Sequence, residues 1–359
     1  MVNQMKNDKI RVLIVDDSAL MRRIIQNILI QDPDLEVAGV AKDGIEALKK
    51  AAELDPDIIT LDVEMPVMDG ISCIENLLKQ GSYGIIMVSS FTKDRANTTI
   101  RALELGAFDF VTKSGNIFDM SSPGKQKEII DKIKLAYRTL KNNQLLNTVK
   151  RKEPKESAEN IGKLNEMKYI IAMGISTGGP RALSEILPEF PGDLPAAIVI
   201  VQHMPPGFTA SLAARLNEIC KLSVKEAEDG EELRAGHAYI APGDYHLTFD
   251  GEGSKLRIKL LKTPPVGGLR PNVDIMMESL SETGFGSFIG VIMTGMGNDG
   301  SKGLIKLKRK KNAFIIAQDE STSIVFGMPR SAIDIGVVDK TVPLQEIPTC
   351  IMNFMGVHG

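Results

Sequence analysis

The hydrophobic pattern of the first ~125 residues predicts strands that alternate with amphipathic helices. Short apolar segments bounded by polar or turn residues are the strand candidates, at 10–15, 36–40, 58–61, 84–88 and 108–111. Between them, segments such as 19–30 and 44–54 carry apolar residues at helical spacing. This alternation indicates an α/β fold, with five parallel strands and helices on both faces of the sheet.

The same alternation returns after residue 168, with one region of different pattern. The apolar segments 169–173, 196–202 and 288–293 are bounded by Gly and Pro and predict buried strands. Residues 233–261 alternate apolar and polar side chains around Pro-Gly-Asp and Asp-Gly-Glu-Gly turns, which is typical of a hairpin. We therefore predict a doubly wound α/β sheet with an antiparallel hairpin.

A charged segment separates these two regions. Residues 125–146 predict a charged amphipathic helix, and residues 147–160 are charged, poor in apolar side chains and interrupted by a proline. Such a composition is typical of a solvated linker. The predicted organisation is a first domain over 9–127, a helix and linker over 128–167, and a second domain over 168–356.

Composition excludes several classes of protein. The chain has 359 residues, 43% of them hydrophobic, and a net charge of -3, whereas nucleic-acid binders normally carry a basic excess. Its three cysteines are far apart, which predicts neither a disulfide framework nor a zinc site. No signal peptide and no apolar run of the ~18 residues that span a bilayer are present. We expect a cytoplasmic protein without membrane insertion.

Polar side chains follow the strands of the first predicted sheet. Asp16 and Asp17 come after the first strand, Asp62 after the third, Ser89 after the fourth and Lys113 after the fifth. The carboxyl ends of parallel strands lie at one edge of a sheet, where ligands bind. Any one of these residues could simply cap a strand. Together they predict a Mg²⁺ site at which a carboxylate could attack phosphorus.

The motifs LIVDDS, LDVEMPVMDG, MVSS and DFVTK resemble a response-regulator receiver domain, which has a flavodoxin-like fold. The resemblance covers residues 10–113. It implies that Asp62 is the phosphoacceptor and that Asp16, Asp17 and Asp62 bind Mg²⁺. It also implies that the residues that contact the phosphoryl group or switch with it are Ser89, Lys113 and the aromatic Phe110. Ser114 departs from the proline that receivers usually carry after the lysine.

The sequence GISTGGP at 174–180 follows a predicted strand and precedes a predicted helix. It fits the G-x-S-x-G turn that exposes a nucleophilic serine, here Ser176. Two alternatives are a serine that caps the helix and a dinucleotide-binding loop. The second is disfavoured because Ser176 replaces the middle glycine of that fingerprint and the next strand ends without a carboxylate.

A nucleophilic serine needs a base, and a histidine base is usually oriented by a carboxylate. His203 ranks first because it stands at the end of the next predicted strand. The other histidines are expected in turns or at the surface (His237, His246) or in the C-terminal tail (His358). Three carboxylates are candidates: Asp299 in a glycine-rich loop after a strand, Asp274 at a helix start, and Asp319 after another strand. Asp299 has the best context, although an Asn-Asp-Gly turn alone also explains it.

The motifs MGISTGGP, VIVQHMPPGFT, GHAYIAPGDYH, MTGMGNDGSKG and AQDESTSIVFGMP resemble the catalytic domain of the CheB family of chemotaxis protein-glutamate methylesterases. This resemblance spans 172–330 and implies a triad of Ser176, His203 and Asp299. It also implies oxyanion donors at the backbone of Thr177 and in the loop of Met296.

The resemblance implies an activity and its control. The expected enzyme hydrolyses glutamate methyl esters on methyl-accepting chemotaxis receptors, releases methanol and deamidates receptor glutamines without an esterase cofactor. The histidine kinase CheA would donate the phosphoryl group to Asp62, with Mg²⁺ bound, and the receiver would mask the esterase site until then. A monomer that binds no nucleic acid is expected. The alternatives are a receiver joined to a binding module, a DNA-binding response regulator and a small-ester hydrolase.

Overall fold

The structure is a computed structural model, which describes residues 9–90, 92–113, 120–143, 166–252 and 255–357. The chain divides into two compact units, Met1–Thr148 and Val149–Gly359. Within the described residues, no helix combines the length and the apolar character needed to cross a membrane.

The first unit is a parallel sheet with helices. Its strands are β1 (Ile10–Val15), β2 (Leu35–Ala41), β3 (Ile58–Asp62), β4 (Gly84–Ser90) and β5 (Asp109–Lys113). Its helices are α1 (Ala19–Ile30), α2 (Gly44–Leu54), α3 (Gly70–Gln80), α4 (Lys93–Leu105) and α5 (Pro123–Asn143). The strand order is β2-β1-β3-β4-β5, and every pairing is parallel. The order reverses between β1 and β3, which is where parallel sheets bind ligands.

Local sequence explains where the helices of this unit begin. Ser18, Asp43, Asp69 and Thr92 each accept a hydrogen bond from a backbone N–H in the first turn of α1, α2, α3 and α4. Such N-caps satisfy donors that have no partner inside the helix. The buried Ile133 and Ala136 place α5 within the core of this unit, so the predicted boundary at residue 127 falls inside this helix.

The second unit is a larger parallel sheet. Its strands are β6 (Tyr169–Ile175), β7 (Ala196–Gln202), β8 (Ser223–Glu226), β9 (His237–Ile240), β12 (Phe288–Ile292), β13 (Phe314–Gln318) and β14 (Lys340–Val342). Its helices are α6 (Gly179–Ile186), α7 (Phe208–Ile219), α8 (Val273–Glu282), α9 (Ser301–Lys311), α10 (Gly327–Asp334) and α11 (Ile347–Met355), with short 3₁₀ turns at Leu187–Glu189 and Leu344–Glu346. The order β14-β13-β12-β6-β7-β9-β8 reverses between β6 and β12.

A separate antiparallel hairpin joins β10 (His246–Glu252) to β11 (Lys255–Leu261). The fold class predicted from the sequence is therefore confirmed in both units. One detail differs, because β9 belongs to the main sheet, where it pairs in parallel with β7 and β8. The turn residues after β9 resemble those of a hairpin, but they lead from one sheet to the other.

Candidate active site

The reversal of strand order in the second unit brings three predicted residues to one edge of the sheet. Ser176 directly follows β6, His203 directly follows β7, and Asp299 lies in the loop between β12 and α9. Strands β12, β6 and β7 are neighbours. Parallel pairing therefore delivers these three loops to the same edge, the usual position of a ligand site in such a sheet.

The loop after β6 is a tight turn that presents Ser176. The Ser176 N–H donates to the carbonyl of Thr294 at 3.0 Å, and the Gly179 N–H donates to the carbonyl of Ser176 at 2.9 Å. Gly178 has a φ of +83° and no room for a side chain, since an added Cβ would lie 2.8 Å from Ile324. Only glycine meets both conditions without strain. The N-cap of α6 is Gly178, two residues after Ser176, and within the described residues no hydrogen bond joins the Ser176 hydroxyl to a backbone N–H of α6, so Ser176 does not cap this helix.

His203 and Asp299 form a buried pair. The His203 Nε2 lies 2.8 Å from the Asp299 Oδ2, and both side chains are more than nine-tenths buried. Two amides at the start of α8 also donate to this carboxylate, Val273 N–H at 2.7 Å and Asp274 N–H at 3.0 Å. The amino end of a helix stabilises negative charge.

The charge state of Asp299 follows from these contacts. Burial by itself raises the pKa of the Asp299 carboxyl, but the hydrogen bond and charge of His203, with the two α8 amides, outweigh burial. The pKa of Asp299 therefore lies below its usual value. A carboxylate that stays ionised can orient the imidazole and stabilise its protonated form.

Ser176 and His203 are linked through the backbone. The His203 N–H donates to the carbonyl of Ile175 at 3.1 Å. Within the described part of the chain, no hydrogen bond joins the Ser176 hydroxyl to the His203 ring. Because Nε2 faces Asp299, the ring nitrogen available to a reacting hydroxyl is Nδ1. In serine hydrolases, the hydrogen bond between the serine hydroxyl and the histidine ring often forms only when substrate is bound.

Two buried polar residues support this arrangement, and neither was predicted from the sequence. Gln202, the last residue of β7, directs its amide nitrogen to the carbonyls of Ser176 and His203 at 3.0 and 3.3 Å. The Thr294 hydroxyl donates to the carbonyl of Thr177 at 2.9 Å and accepts the Val325 N–H at 3.0 Å. The sequence feature that could have indicated these two residues is a polar residue at the end of an apolar strand.

The loop after β12 packs directly on the serine turn. A Cβ built on Gly295 would lie 2.8 Å from the Ser176 Cβ, so glycine is required for this approach. The next residue, Met296, is 53% exposed, and Gly297 has a φ of +91°. The backbone of Met296 therefore runs beside the serine while its side chain faces solvent.

The remaining candidates lie in other settings. His246 is fully buried at the start of β10, so the prediction of a turn or surface position is wrong for this residue. His237 is half-buried in β9. His358 lies outside the described residues. Asp319 accepts the Thr322 N–H at 3.0 Å within its own loop, and the carboxylate of Asp274 accepts the Gly303 N–H at 2.8 Å.

A second cluster occupies the corresponding edge of the first unit. Carboxylate oxygens of Asp16, Asp17 and Asp62 all lie within 4.8 Å of one another. The Lys113 ammonium lies 2.7 Å from Asp62 and 2.8 Å from Asp16. Burial raises the pKa of Asp62, Lys113 opposes this effect, and the charge of Asp16 adds to it, so the pKa stays above its usual value. Repelling carboxylates of this kind are a donor set that suits Mg²⁺.

The predicted switch residues Ser89 and Phe110 lie in β4 and β5. Ser89 is fully buried, and the Thr99 hydroxyl donates to its Oγ at 2.9 Å. The Phe110 ring is 6% exposed, and the Lys132 ammonium lies 5.3 Å from its centroid. Ser114, which stands where receivers usually carry a proline, lies outside the described residues. The predicted linker over 147–160 also lies outside them.

Comparison with known proteins identifies both units. The family model described as CheB methylesterase matches residues 171–351, and the response regulator receiver domain model matches residues 12–122. A Pyrococcus horikoshii protein named protein-glutamate methylesterase/protein-glutamine glutaminase is 44% identical over 96% of this chain and 93% of its own length. A Geobacillus kaustophilus protein of the same name is 46% identical over 97% of this chain and 99% of its own length.

Among solved structures, the catalytic domain of the Thermotoga maritima CheB methylesterase is 45% identical, with a TM-score of 0.49. It covers 52% of this chain and 98% of its own. The sequence matches span almost the whole chain and include both of its domains, which confirms the family predicted from the motifs. The chain belongs to the CheB methylesterase family and carries that family's catalytic domain behind a response regulator receiver domain.

Proposed function

We propose that this chain is a phosphorylation-activated serine hydrolase that removes methyl groups from glutamate methyl esters of methyl-accepting chemotaxis receptors. The second activity is deamidation of receptor glutamines. The observation that carries the proposal is the buried His203–Asp299 pair, 2.8 Å apart, at the sheet edge where β6 ends in the Ser176 turn. The names of the relatives supply the substrate class.

The reaction follows serine hydrolase chemistry. The Ser176 hydroxyl attacks the ester carbonyl carbon while Nδ1 of His203 takes the hydroxyl proton. Asp299 stabilises the resulting imidazolium through Nε2. The tetrahedral intermediate collapses, and His203 returns the proton to the departing methoxide, which leaves as methanol. Water then attacks the acyl-serine by the same route and releases glutamate.

Backbone amides stabilise the developing oxyanion. The N–H of Thr177 follows the nucleophile, as in other serine turns, and the N–H of Met296 is the second donor. Support for the second donor comes from Gly295, which brings this loop against Ser176. Deamidation uses the same attack, with ammonia rather than methanol as the leaving group.

The receiver controls the esterase. Asp62 accepts a phosphoryl group from the histidine kinase CheA and becomes an acyl phosphate. Asp16, Asp17 and Asp62 would hold Mg²⁺, which offsets negative charge during that transfer. Lys113 pairs with the phosphoryl group, and Ser89 and Phe110 report its presence. A difference of a few kcal/mol between the two states is enough to shift their populations.

The test is methanol release from methylated receptor membranes by the full chain. We expect Ser176→Ala to abolish release without loss of thermal stability. A small phosphodonor should stimulate the wild type but not Asp62→Asn. Full activity of Ser176→Ala would contradict the hydrolase assignment. Equal stimulation of wild type and Asp62→Asn, or no stimulation of either, would contradict the switch.

A further inference from the structure

We infer that Gln202 is a positioning residue, which holds the nucleophile turn and the catalytic histidine at a fixed separation through one buried side-chain amide. The inference rests on the proposed function. Gln202 is 2% exposed at the end of β7, a strand that is otherwise apolar. Its Nε2 lies 3.0 Å from the Ser176 carbonyl and 3.3 Å from the His203 carbonyl.

The two carbonyls belong to the residues that must react together. Ser176 and His203 lie on separate loops, and β6 and β7 pair only as far as Ile175 and Gln202. Beyond that point, the His203 N–H to Ile175 carbonyl bond and the Gln202 amide are two links between these loops. A side chain that binds both backbones limits how far the loops can separate. Misplacement of a catalytic group by about 1 Å can cost about 10²-fold in rate.

The orientation of the amide follows from its partners. If its oxygen and nitrogen were exchanged, Oε1 would face two carbonyl oxygens, and neither can donate a hydrogen bond. In the observed orientation, Oε1 is buried with no hydrogen-bond partner among the described residues. A Cβ built on Gly179 would lie 1.7 Å from this Oε1, so glycine at 179 leaves space for the amide.

Stability alone does not explain a glutamine at this position. A buried polar atom without a partner carries a desolvation cost, which an apolar side chain of similar size would avoid. The hydrogen bonds of Nε2 offset part of this cost, and both of them go to the backbone of the proposed catalytic residues. We therefore place its effect on the rate of the chemical step rather than on substrate binding.

The first experiment replaces the amide with an apolar chain of similar shape. For Gln202→Met in the full phosphodonor-activated chain, we expect kcat for methanol release to fall about 10–100-fold with KM unchanged. Thr248→Val is the matched control, since it also removes a buried side-chain hydrogen bond to a carbonyl, that of Lys259 at 2.7 Å in the hairpin. We expect this control to keep wild-type kcat.

The second experiment uses pH as a readout that a purely structural role would not change. In Gln202→Glu, an ionised carboxylate would repel both carbonyls, whereas its protonated form has an O–H donor that can replace Nε2–H. Burial raises the pKa of such a glutamate. The kcat ratio of Gln202→Glu to wild type should therefore rise from about pH 8 to about pH 6, while the ratio for Gln202→Met stays flat.

Three results would overturn the inference. They are wild-type kcat in Gln202→Met, an equal kcat loss in Thr248→Val, and a flat pH ratio for Gln202→Glu. A failure of the proposed function has a different signature: the wild type would release no more methanol than Ser176→Ala. The inference would then fall with the function on which it rests.

Discussion

The two units place their proposed sites at the same point of their folds but hold them by different means. Each site lies at the carboxyl edge of a parallel sheet where the strand order reverses, between β1 and β3 in the first unit and between β6 and β12 in the second. The first is a cluster of charges, with Lys113 between Asp16 and Asp62. In the second, the carboxylate of Asp299 is held by amides and a histidine.

This difference shifts the pKa values of the two buried aspartates in opposite directions. Burial and a neighbouring carboxylate raise the pKa of Asp62, while hydrogen-bond donors lower the pKa of Asp299. In the first arrangement, a bound cation or a change in the charge of Asp62 would stabilise the carboxylate cluster. The second holds the pKa of its carboxyl below the usual value, which favours the ionised form. The same sheet edge can therefore hold a carboxyl of raised pKa or one of lowered pKa, depending on what faces the carboxylate.

The largest expected effect comes from the fixed pair. Asp299→Asn should lower kcat for methanol release by about 10⁴-fold, because an amide would hold the wrong imidazole tautomer and would not stabilise its charge. Methanol assays on activated full chain measure this. Asp319→Asn, which alters the other strand-end carboxylate, should keep wild-type activity. Wild-type activity in Asp299→Asn together with a large loss in Asp319→Asn would instead assign the third triad member to Asp319.

The next effect concerns the charge cluster. Lys113→Met should destabilise the receiver by about 3 kcal/mol, because it leaves Asp16 and Asp62 buried without their cationic partner. Hydrogen exchange of the β1 and β3 amides measures the receiver separately, and Mg²⁺ should restore part of the protection. Lys125→Met, which breaks a pair with the more exposed Glu128, should cost less. Equal losses would contradict a special role for the cluster.

A smaller effect concerns backbone strain beside each site. The second site has glycine at its left-handed positions, such as Gly178 and Gly297, whereas the first has Val67 at a φ of +71° and 84% exposed. Val67→Gly should raise the free energy of unfolding by about 0.5–1 kcal/mol, because relief of strain exceeds the entropy cost of glycine. The matched change Val266→Gly, at an exposed valine with ordinary φ, should lower it. Thermal unfolding distinguishes the two.

The smallest effect, and the most direct test of the comparison, is the pH dependence of stability. A raised pKa means that the folded state binds the proton more tightly, so wild type should gain stability relative to Asp62→Asn as the pH falls from about 7 to about 4. A lowered pKa has the opposite sign, so wild type should lose stability relative to Asp299→Asn below about pH 4. Urea unfolding at each pH gives both differences. Two slopes of equal sign would contradict the comparison.

Much of the fold could be predicted from local pattern. Strands β1, β7 and β12 and helices α1 and α2 lie where the apolar spacing indicates them, because each buries one face or both faces of a regular element. The pattern of residues 233–261 predicts that β9 belongs to the hairpin, because a short apolar segment between turns does not specify which strand it pairs with. The partner is chosen by packing in the finished sheet.

The sequence by itself determined which groups are proposed to carry the chemistry: the Ser176 turn, His203 and the acidic cluster around Asp62 are readable because their residue types and strand-end positions are local features. Tertiary structure alone decided how those groups are held. Gln202, Thr294 and the α8 amides act through backbone contacts between segments up to 117 residues apart in the chain. Backbone donors and acceptors are the same in every residue, so no sequence pattern marks which of them meet.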